Sequence, residues 1–458
     1  MGRDRAVNQV SPNQVSPNPA AVDRIEAGFL ELVRDVNSAS VAACNAWIFF
    51  IGLIAYFFVT LAGVTHRDLL LATPVKLPIL NADIWLAGFF IFGPLLLMLI
   101  HFGLLLQHAM LAHKVLDLHA RLARFEGAGN FRMHRVRMQL HAYFYSQLIA
   151  GPYRSKLFAQ FLSAMTWGSL IILPIVLLLD FQVTFLPFHD LSITSAHRIC
   201  LLADLALIAI FGVCMHYPGR SFVSGLSAII AGRPRSVAAS VALGLGAMFF
   251  SVAVATIPDE TMDRLMTAIP GAGSTVPIGE TDSARQRVAF WPTAVLFEGE
   301  IDFLSGRRAS LFSRNLAVTD ADLVHDSQAG PDKTSISLRR RDLRYGTFAR
   351  SNLRQADLSG ALLTKACLRE TNLIDAKMAM ADLQGADLWR AQFTNDTSTG
   401  RPVKGANLRG ADLRRADFNQ VNLKGANLSD ALLAGAHLRG ALIDPEHAEE
   451  ARRQGANF

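Results

Sequence analysis

The sequence has 458 residues, of which 51% are hydrophobic and only 18% are charged, and its mean hydropathy is +0.28. This balance is unusual for a soluble protein and predicts membrane-spanning segments together with more than one domain. The net charge of +6 is modest and does not indicate a nucleic-acid-binding protein. The four cysteines are scattered without CxxC or metal-ligand spacing, so they indicate neither a disulfide framework nor a zinc site.

Residues 1–40 combine a polar tail with a short amphipathic pattern. Residues 8–12 recur as residues 13–17, and this proline-bearing composition predicts a disordered tail. The tail lacks the apolar core of a cleavable signal peptide. Apolar residues at helical spacing over residues 21–40 predict an interfacial helix that lies near the membrane surface.

Five apolar runs follow, each about long enough to cross a bilayer core. They cover residues 43–64, 84–106, 158–179, 199–217 and 237–257. We therefore predict an all-α transmembrane domain of about five spans over residues 41–257.

The distribution of basic residues predicts the orientation of these spans. The N-terminal tail and the loops 107–157 and 218–236 carry 15 Lys and Arg, whereas the loops 65–83 and 180–198 carry 3. Cytoplasmic loops are enriched in Lys and Arg, so the N-terminus is predicted to be cytoplasmic. Because five is an odd number of spans, the C-terminal part is then expected in a periplasm-like space.

The long loop 107–157 contains two helical patterns. Leu111, Val115, Leu118 and Leu122 continue the second span as an amphipathic helix, residues 127–129 interrupt it, and a second helix is predicted over residues 131–149. We interpret the loop as a cytoplasmic helical hairpin that touches anionic lipid headgroups. A docking site for a cytoplasmic partner is the alternative.

A five-residue repeat organises the last quarter of the chain. Apolar residues, mostly leucine, occupy every fifth position from Leu338 to Ile443, and Ser398 is the single lapse among 22 positions. Alanine lies two residues before most of them, with Asp or Asn often between, as at residues 381–383. This period suits neither an α-helix, which needs apolar spacings of three and four, nor a long flat strand. We interpret each unit as a two-residue strand step followed by a corner, so that repetition winds a solenoid filled with stacked leucines.

The Ala-(Asp/Asn)-Leu-x-x register over residues 336–443 resembles the pentapeptide-repeat proteins. The resemblance implies an all-β, right-handed quadrilateral β-helix with four pentapeptides to a coil, and roughly five coils would rise on the order of 25 Å. Residues 394–403 depart from the pattern and are expected to bulge from one face. Residues 65–71, 76–80 and 187–190 resemble a group of bacterial membrane proteins that carry pentapeptide repeats, which implies the bacterial inner membrane and supplies no chemistry.

The segments on either side of the repeats are predicted to close the ends of the solenoid. Residues 258–335 would link it to the membrane domain and cap its N-terminal edge, because unpaired strands associate edge to edge. Within them, Leu311 and Leu316 are interpreted as the apolar positions of an imperfect first pair of repeat units. The charged tail 444–458 is predicted to form a helix that caps the opposite edge.

The search for chemistry yields one candidate site within the spans. Asp204 falls in the fourth span, where a carboxylate is costly and usually faces a partner or water. Asp204, together with His101 near a span end, forms our candidate intramembrane polar site. The alternative is that Asp204 lies near a membrane edge or packs against another span.

No motif for catalysis or for a cofactor is present. Serine-hydrolase, metalloprotease, phosphate-loop and dinucleotide motifs are all absent from the sequence, so no catalytic, cofactor-binding or metal-binding residue is predicted. Six histidines surround the loop 107–157, and their spacing favours surface or interfacial histidines over a metal site. They are His101, His108, His113, His119, His134 and His141.

Two functional hypotheses follow from these features. The preferred one is a non-enzymatic integral membrane protein that contacts lipid and presents the β-helix as a scaffold for a protein partner. The alternative is an oligomeric channel or transporter for small solutes or ions, with Asp204 on the pathway and Ser240 and Gly244 spaced for close helix packing. Whether the chain forms a homo-oligomer is left open.

A nucleic-acid role is not expected. Some pentapeptide-repeat proteins mimic DNA with a strongly acidic β-helix, and this sequence departs from that pattern. Residues 336–458 contain 19 Lys and Arg against 14 Asp and Glu, whereas a duplex mimic needs dense negative charge. Acidic residues are interleaved with the basic ones and aromatic residues are few, so the segment is not predicted to bind nucleic acid either.

Overall fold

The computed structural model describes most of the chain from residue 19 onward. The described residues are 19–77, 82–126, 135–152, 155–217, 219–277, 286–298, 301–302, 307–308, 310–324, 334–394 and 405–458. The tail predicted to be disordered, up to residue 18, and the helix interruption predicted at residues 127–129 lie outside them.

Two compact units divide the chain. The first comprises the described parts of Met1–Ile51, His101–Ile172 and Ile208–Gly232, and the second those of Gly52–Ile100, Leu173–Leu207 and Arg233–Phe458.

Helices dominate the chain up to about residue 297. They are α1 (Pro19–Ala62), α2 (His66–Leu71), α3 (Leu86–Glu126), α4 (Phe144–Ala150), α5 (Lys156–Trp167), α6 (Leu173–Phe185), α7 (Leu191–His216), α8 (Phe222–Gly232), α9 (Pro234–Phe249), α10 (Thr261–Thr267) and α11 (Trp291–Phe297). Short antiparallel strand pairs lie between them: β1 (Val75–Leu77) with β2 (Ala82–Ile84), β3 (Gly273–Pro277) with β4 (Gln286–Phe290), and β5 (Ile301–Asp302) with β6 (Arg307–Arg308).

Five of the described helical stretches are long and apolar enough to cross a membrane. They are Ala27–Ala62, Leu86–Arg124, Lys156–Phe188, Leu191–His216 and Pro234–Val254. Each overlaps one of the five runs predicted from the sequence. The third and fifth contain π-helical turns, Gly168–Ile172 and Phe250–Val254. The first of these turns lies just before Pro174, whose missing N–H interrupts regular α-helical bonding.

In the first unit, apolar side chains from α1 and α3 share one core. Phe29, Val33 and Val36 are buried in it. They pack with buried residues of α3 and of the segment 136–150, among them Leu111, Val115, Leu118, Leu122, Val136 and Leu140. The prediction of a separate interfacial helix over residues 21–40 is therefore wrong, because α1 continues without a break to Ala62 and its apolar stripe packs on protein.

The predicted second helix of the hairpin is also only partly present. Residues 135–137 are helical, residues 138–143 form turns, and α4 then begins at Phe144. The turn is held by polar contacts that sequence periodicity does not reveal. Asn37 donates its side-chain N–H to Gln139 O at 2.8 Å and accepts from His141 N at 2.7 Å.

In the membrane-spanning part of the second unit, aromatic rings fill the core. Phe57, Phe89, Phe90, Phe181 and Phe185 meet with ring centroids 4.8–6.1 Å apart. A Cβ at Gly93 would lie 2.8 Å from the Phe181 ring, so only glycine lets α3 approach it this closely.

Four parallel ladders make the sides of the β-helix. Asp357 bridges Lys377, Leu362 bridges Asp382, Cys367 bridges Asp387 and Asn372 bridges Gln392, each partner 20 residues further along. A coil therefore contains four five-residue units, as the resemblance implied. The repeated leucines and the alanines before them are buried, with Leu368, Leu373, Leu383 and Leu388 all at 0% exposure.

The Asp or Asn between each Ala and Leu stabilises the following corner. Its side-chain oxygen accepts the N–H two residues on, as Asp382 does from Gln384 at 3.0 Å and Asn407 from Arg409 at 3.1 Å. The next residue takes a left-handed backbone, with φ of 59° at Met380 and 65° at Gly410. A Cβ at Gly410 would lie 2.6 Å from the Met380 sulfur, so glycine is required there.

The β-helix keeps its register across the interruption predicted at residues 394–403. Lys377 bridges Asn407 and Gln392 bridges Asn422, so this coil contains 30 residues instead of 20. The first coil is lengthened in the same way, because Asp322 bridges Asn352. Residues 325–333 and 395–404, which carry the additional lengths, lie outside the described residues.

The first rungs are not the ones predicted. Leu311 is 80% exposed, whereas Val318 and Leu323 are buried and stand at the leucine position of the repeat. Pairing of Ala317 with Thr347 sets this register and leaves Leu316 at the alanine position. The phase is decided by backbone pairing to the next coil, which spacing within 310–316 alone does not contain.

At the other end, α12 (Pro445–Arg453) follows the last rung. Gln454 accepts the Leu433 N–H at 2.6 Å, and Asp444 accepts the Gly425 N–H at 2.8 Å. These side chains satisfy backbone donors that the next coil would otherwise bind, so this edge does not present a free ladder.

Candidate functional site

The outward side chains of the β-helix form flat sides of mixed charge. Arg350 pairs with Asp320 at 2.6 Å, Arg414 with Asp412 at 2.6 Å, and Arg409 with Asp430 at 3.3 Å. The Arg350 hydrogen bond holds the pKa of Asp320 below its usual range, and Arg414 does the same for Asp412. Opposite charges are thus paired along the surface, which carries no dense negative field.

One cluster on this surface combines an aromatic ring with two arginines. We call it the Trp389 cluster: Arg369, Asp387, Trp389, Arg390 and Gln420. The guanidinium carbons of Arg369 and Arg390 lie 4.6 Å and 4.3 Å from the Trp389 ring centroid. Arg390 also donates to Gln420 Oε1 at 3.0 Å, and Asp387 accepts the Trp389 N–H at 3.2 Å. Trp and Arg are the residue types most enriched in interface hot spots, and here both are held in place.

Sequence reasoning missed this cluster, although the signal was present. A coil of 20 residues places residue 369 directly beside residue 389, because Cys367 and Asp387 are bridged. The repeat period of five was recognised from the sequence, but the residues that stack one coil apart were not compared.

The first coil of the β-helix is anchored on loops between the membrane-spanning helices, and we call these contacts the joint. His66 Nδ1 accepts the Ala317 N–H at 3.0 Å, and Arg67 donates to Asp322 O at 3.0 Å. Arg341 donates to Leu69 O at 3.2 Å, and its guanidinium carbon lies 4.0 Å from the centroid of the Phe188 ring.

Asp342 and His189 form the charged part of the joint. His189 Nε2 donates to Arg314 O at 2.8 Å, and its Nδ1 lies 3.4 Å from Asp342 Oδ1. That separation marks an electrostatic contact rather than a well-formed hydrogen bond. Arg344 grips the same carboxylate at 2.7 Å and reaches Asp259 at 3.3 Å. Burial raises the pKa of Asp342, but His189 and Arg344 more than offset it and hold that pKa well below its usual range.

A buried ionic triad stands behind the joint. Arg314 is fully buried and pairs with Glu298, also buried in its side chain, and with Asp263 at 2.8 Å. These carboxylates come from the end of α11 and from α10, so Arg314 ties the segment 258–298 to the start of the β-helix. Neither the sequence pattern nor the repeat period singles out Arg314.

Asp204 lies in α7 with its side chain fully buried. Cys200, one turn earlier on the same helix, is also buried. The prediction that a carboxylate is embedded in this helix therefore holds for its position, while its role stays a prediction.

His101 is fully buried in α3. Its ring stacks on Phe50 with centroids 5.1 Å apart, and Nε2 lies 3.1 Å from Leu170 O. His101 and Asp204 belong to different units, so each is described only with its own neighbours.

The expectation of surface or interfacial histidines is wrong for His101 and His108. His108 is fully buried and bonds Tyr143 Oη at 2.6 Å through Nε2 and Leu104 O at 2.9 Å through Nδ1. His134 lies outside the described residues. Within the described part of the chain, no group of three or more His, Cys, Asp or Glu is arranged to hold a metal ion.

The comparisons with known proteins agree with the architecture of the C-terminal segment. The family model for pentapeptide repeats matches residues 342–379, 351–390 and 404–441, with 8 copies of the repeat. The C-terminal segment therefore consists of pentapeptide repeats, which imply a right-handed β-helix. No curated protein matches this chain.

Several solved structures of pentapeptide repeat proteins are similar to part of the chain. One from Nostoc Pcc 7120 is 26% identical, with 24% of this chain and 83% of that chain covered and a TM-score of 0.20. One from the Arabidopsis thaliana thylakoid lumen is 25% identical, with 30% and 80% covered and a TM-score of 0.17. One from the cyanobacterium Cyanothece 51142 is 28% identical, with 28% and 80% covered and a TM-score of 0.14.

Replacing Arg314 with alanine should destabilise the protein strongly. Two buried carboxylates would lose their counter-ion, a change that costs about 3–5 kcal/mol. As a control, Arg409→Ala breaks a pair whose side chains are 66% and 71% exposed, and it should cost less than about 1 kcal/mol. The free energy of unfolding of the detergent-solubilised protein, followed by circular dichroism, measures both. Equal losses in the two variants would contradict a stabilising role for the triad.

Acid should weaken the joint through Asp342. Its pKa in the folded protein lies below the ordinary 3.8, so the ionised form contributes stability that is present above that pH and is lost as the pH falls further. Asp342→Asn should lower the melting temperature at neutral pH, and the gap to wild type should narrow between about pH 5 and about pH 2. The exposed pair member Asp430, changed to Asn, should give a small gap throughout. A gap for Asp342→Asn that does not change with pH would refute this assignment.

Proposed function

We propose that this chain is a non-enzymatic integral membrane protein that presents its pentapeptide-repeat β-helix, outside the cytoplasm, as a scaffold for a protein partner. The observation that carries the proposal is the joint. It fixes a closed column of outward side chains onto loops between apolar helices that are long enough to span a membrane. A repeat surface held in this way is suited to presenting a binding face rather than to reacting.

The joint also supports the orientation. The loops that contact the β-helix contain His66, Arg67 and His189, and they belong to the segments 65–83 and 180–198, which carry 3 Lys and Arg. The 15 Lys and Arg of the other side favour the cytoplasm. This argument does not depend on counting spans, because the β-helix lies on the same side as the loops it contacts.

The Trp389 cluster is the part of the surface best suited to a partner. Its ring and guanidinium groups are positioned by neighbouring side chains before binding, which reduces the entropy lost on association. The pairing of opposite charges along the β-helix favours a protein surface with both signs of charge over a nucleic acid.

Site-specific photocrosslinking in the native host tests the scaffold. A photoreactive phenylalanine analogue in place of Trp389 should give a discrete crosslinked product, because the partner would cover this side. The matched control places the analogue at Ala379, which occupies the same position of the repeat two units earlier, on the opposite side of the coil. A reporter fused after Phe458 should be active outside the cytoplasm. Equal crosslinking at both positions, or a cytoplasmic reporter, would contradict the proposal.

The second candidate is a channel or transporter that uses Asp204. The fully buried Asp204 carboxylate within a membrane-spanning helix favours it, since such groups often line ion or proton pathways. Asp204→Asn should then reduce solute or ion flux in proteoliposomes while the protein still inserts and melts normally. The control is Asp180→Asn in α6, the other carboxylate within a span that was noted from the sequence. Wild-type protein without any flux above empty liposomes would end this candidate.

A further inference from the structure

An open cleft in the second unit lies beside the joint. Its volume is about 470 Å³, and it is bounded by the end of α1, by α2, by α6 and by residues 310–317. The apolar part of the lining includes Leu61, Leu69, Val183, Pro187, Leu311 and Phe312. Leu311 and Phe312 are 80% and 39% exposed, so apolar side chains stand open to an incoming molecule. Ligand sites of small molecules commonly have about this size and this mainly apolar lining.

Asp180 gives the cleft its charge. It is half-buried and is the only acidic residue in the described lining, which contains neither Lys nor Arg. Within the part of the chain that the structure describes, the Asp180 carboxylate makes no hydrogen bond and no ion pair. Thr184, one turn further along α6, lines the cleft as well. A carboxylate left without a partner in an apolar surrounding attracts a cation strongly.

The other polar groups of the lining are already engaged. His66 Nδ1 accepts the Ala317 N–H at 3.0 Å. Ser310 donates to Phe312 O at 2.8 Å, and Ser313 donates to Asn315 O at 2.6 Å. These bonds hold the wall formed by residues 310–317 in place, and they leave Asp180 as the group that can form a new charged contact.

The lining distinguishes between kinds of cation. A hard metal ion such as Ca²⁺ takes about six to eight oxygen ligands, and one carboxylate among apolar side chains does not supply them. An ammonium group needs only one carboxylate and a few hydrogen-bond acceptors, while an apolar body attached to it can cover Leu61, Val183 and Phe312.

We propose that this cleft binds an amphiphilic ammonium compound, with the ammonium group on Asp180 and the apolar body against the aliphatic and aromatic wall. The ammonium group can belong to a free amine or to a lipid headgroup such as ethanolamine. Because the wall 310–317 contains the first backbone contact of the joint, a bound amine touches the membrane-spanning helices and the start of the β-helix together.

Calorimetric titration of the full-length protein in dodecyl maltoside tests the proposal, with phenethylammonium chloride as the probe. Phenethyl alcohol has the same apolar body without the charge, and it should bind at least about tenfold more weakly. Asp180→Asn should remove this preference for the amine. The matched control, Asp83→Asn, changes an exposed carboxylate that lines a separate cleft of about 540 Å³, and it should keep the preference.

Nanodiscs distinguish the two sources of the ammonium group. If the source is a lipid headgroup, the affinity for phenethylammonium should fall when phosphatidylethanolamine is added to phosphatidylglycerol nanodiscs. If the source is a free amine, the affinity should be the same in both. Each result supports ammonium recognition at Asp180.

Three results would overturn the proposal. They are no saturable binding of phenethylammonium by the wild-type protein, equal affinity for the amine and the alcohol, and an unchanged preference in Asp180→Asn. The first two are measured on the wild-type protein, so the proposal stays open to refutation even if the variant does not fold. None of these results depends on whether the β-helix binds a protein partner.

Discussion

Main-chain hydrogen bonds between successive coils are the constraint on which the β-helix depends. Leu358 donates to Lys377 O at 2.7 Å and Leu373 to Gln392 O at 2.7 Å, and such bonds repeat along each side. They fix the spacing of the coils near the usual strand separation of about 4.8 Å. At that spacing the interior accepts one leucine or phenylalanine and one alanine from each unit, which explains why the second inward position is small. The outward side chains are then free of any role in the core, and they can pair or form clusters such as that of Trp389.

The joint converts this column from a tethered domain into a fixed one. Apolar packing alone would not orient a β-helix on a set of loops, because the loops and the first coil are both rich in polar groups. Arg341, Asp342 and Arg314 solve this by pairing across the boundary with backbone carbonyls, His189 and buried carboxylates. Buried charges are costly when they lose a partner, so the arrangement tolerates little sliding. Function is therefore proposed to depend on the placement of the β-helix as well as on its surface.

Several expectations failed where distant parts of the chain compete for the same residues. The pattern over residues 21–40 has the spacing of an interfacial helix, yet Phe29 and Val33 are buried against protein. His108 looked like an interfacial histidine and instead bonds Tyr143, 35 residues away. Leu311 looked like a core position of the repeat and is exposed, because the pairing of Ala317 with Thr347 shifts the phase. In each case a single stretch of sequence contained the correct residue type but not the identity of its neighbour.

The sequence by itself determined the number of apolar stretches, the five-residue period and the column of buried leucines. These follow from local spacing and composition, which act within a few residues. The pentapeptide register also fixed the corner chemistry of the Asp and Asn residues. Only the tertiary structure decided which residues meet one coil apart, how Arg314 and Asp342 anchor the first coil, and that Asp180 faces an apolar cleft without a protein partner. Those arrangements depend on contacts between residues tens to hundreds of positions apart, and the order of residues along the chain does not specify such distances.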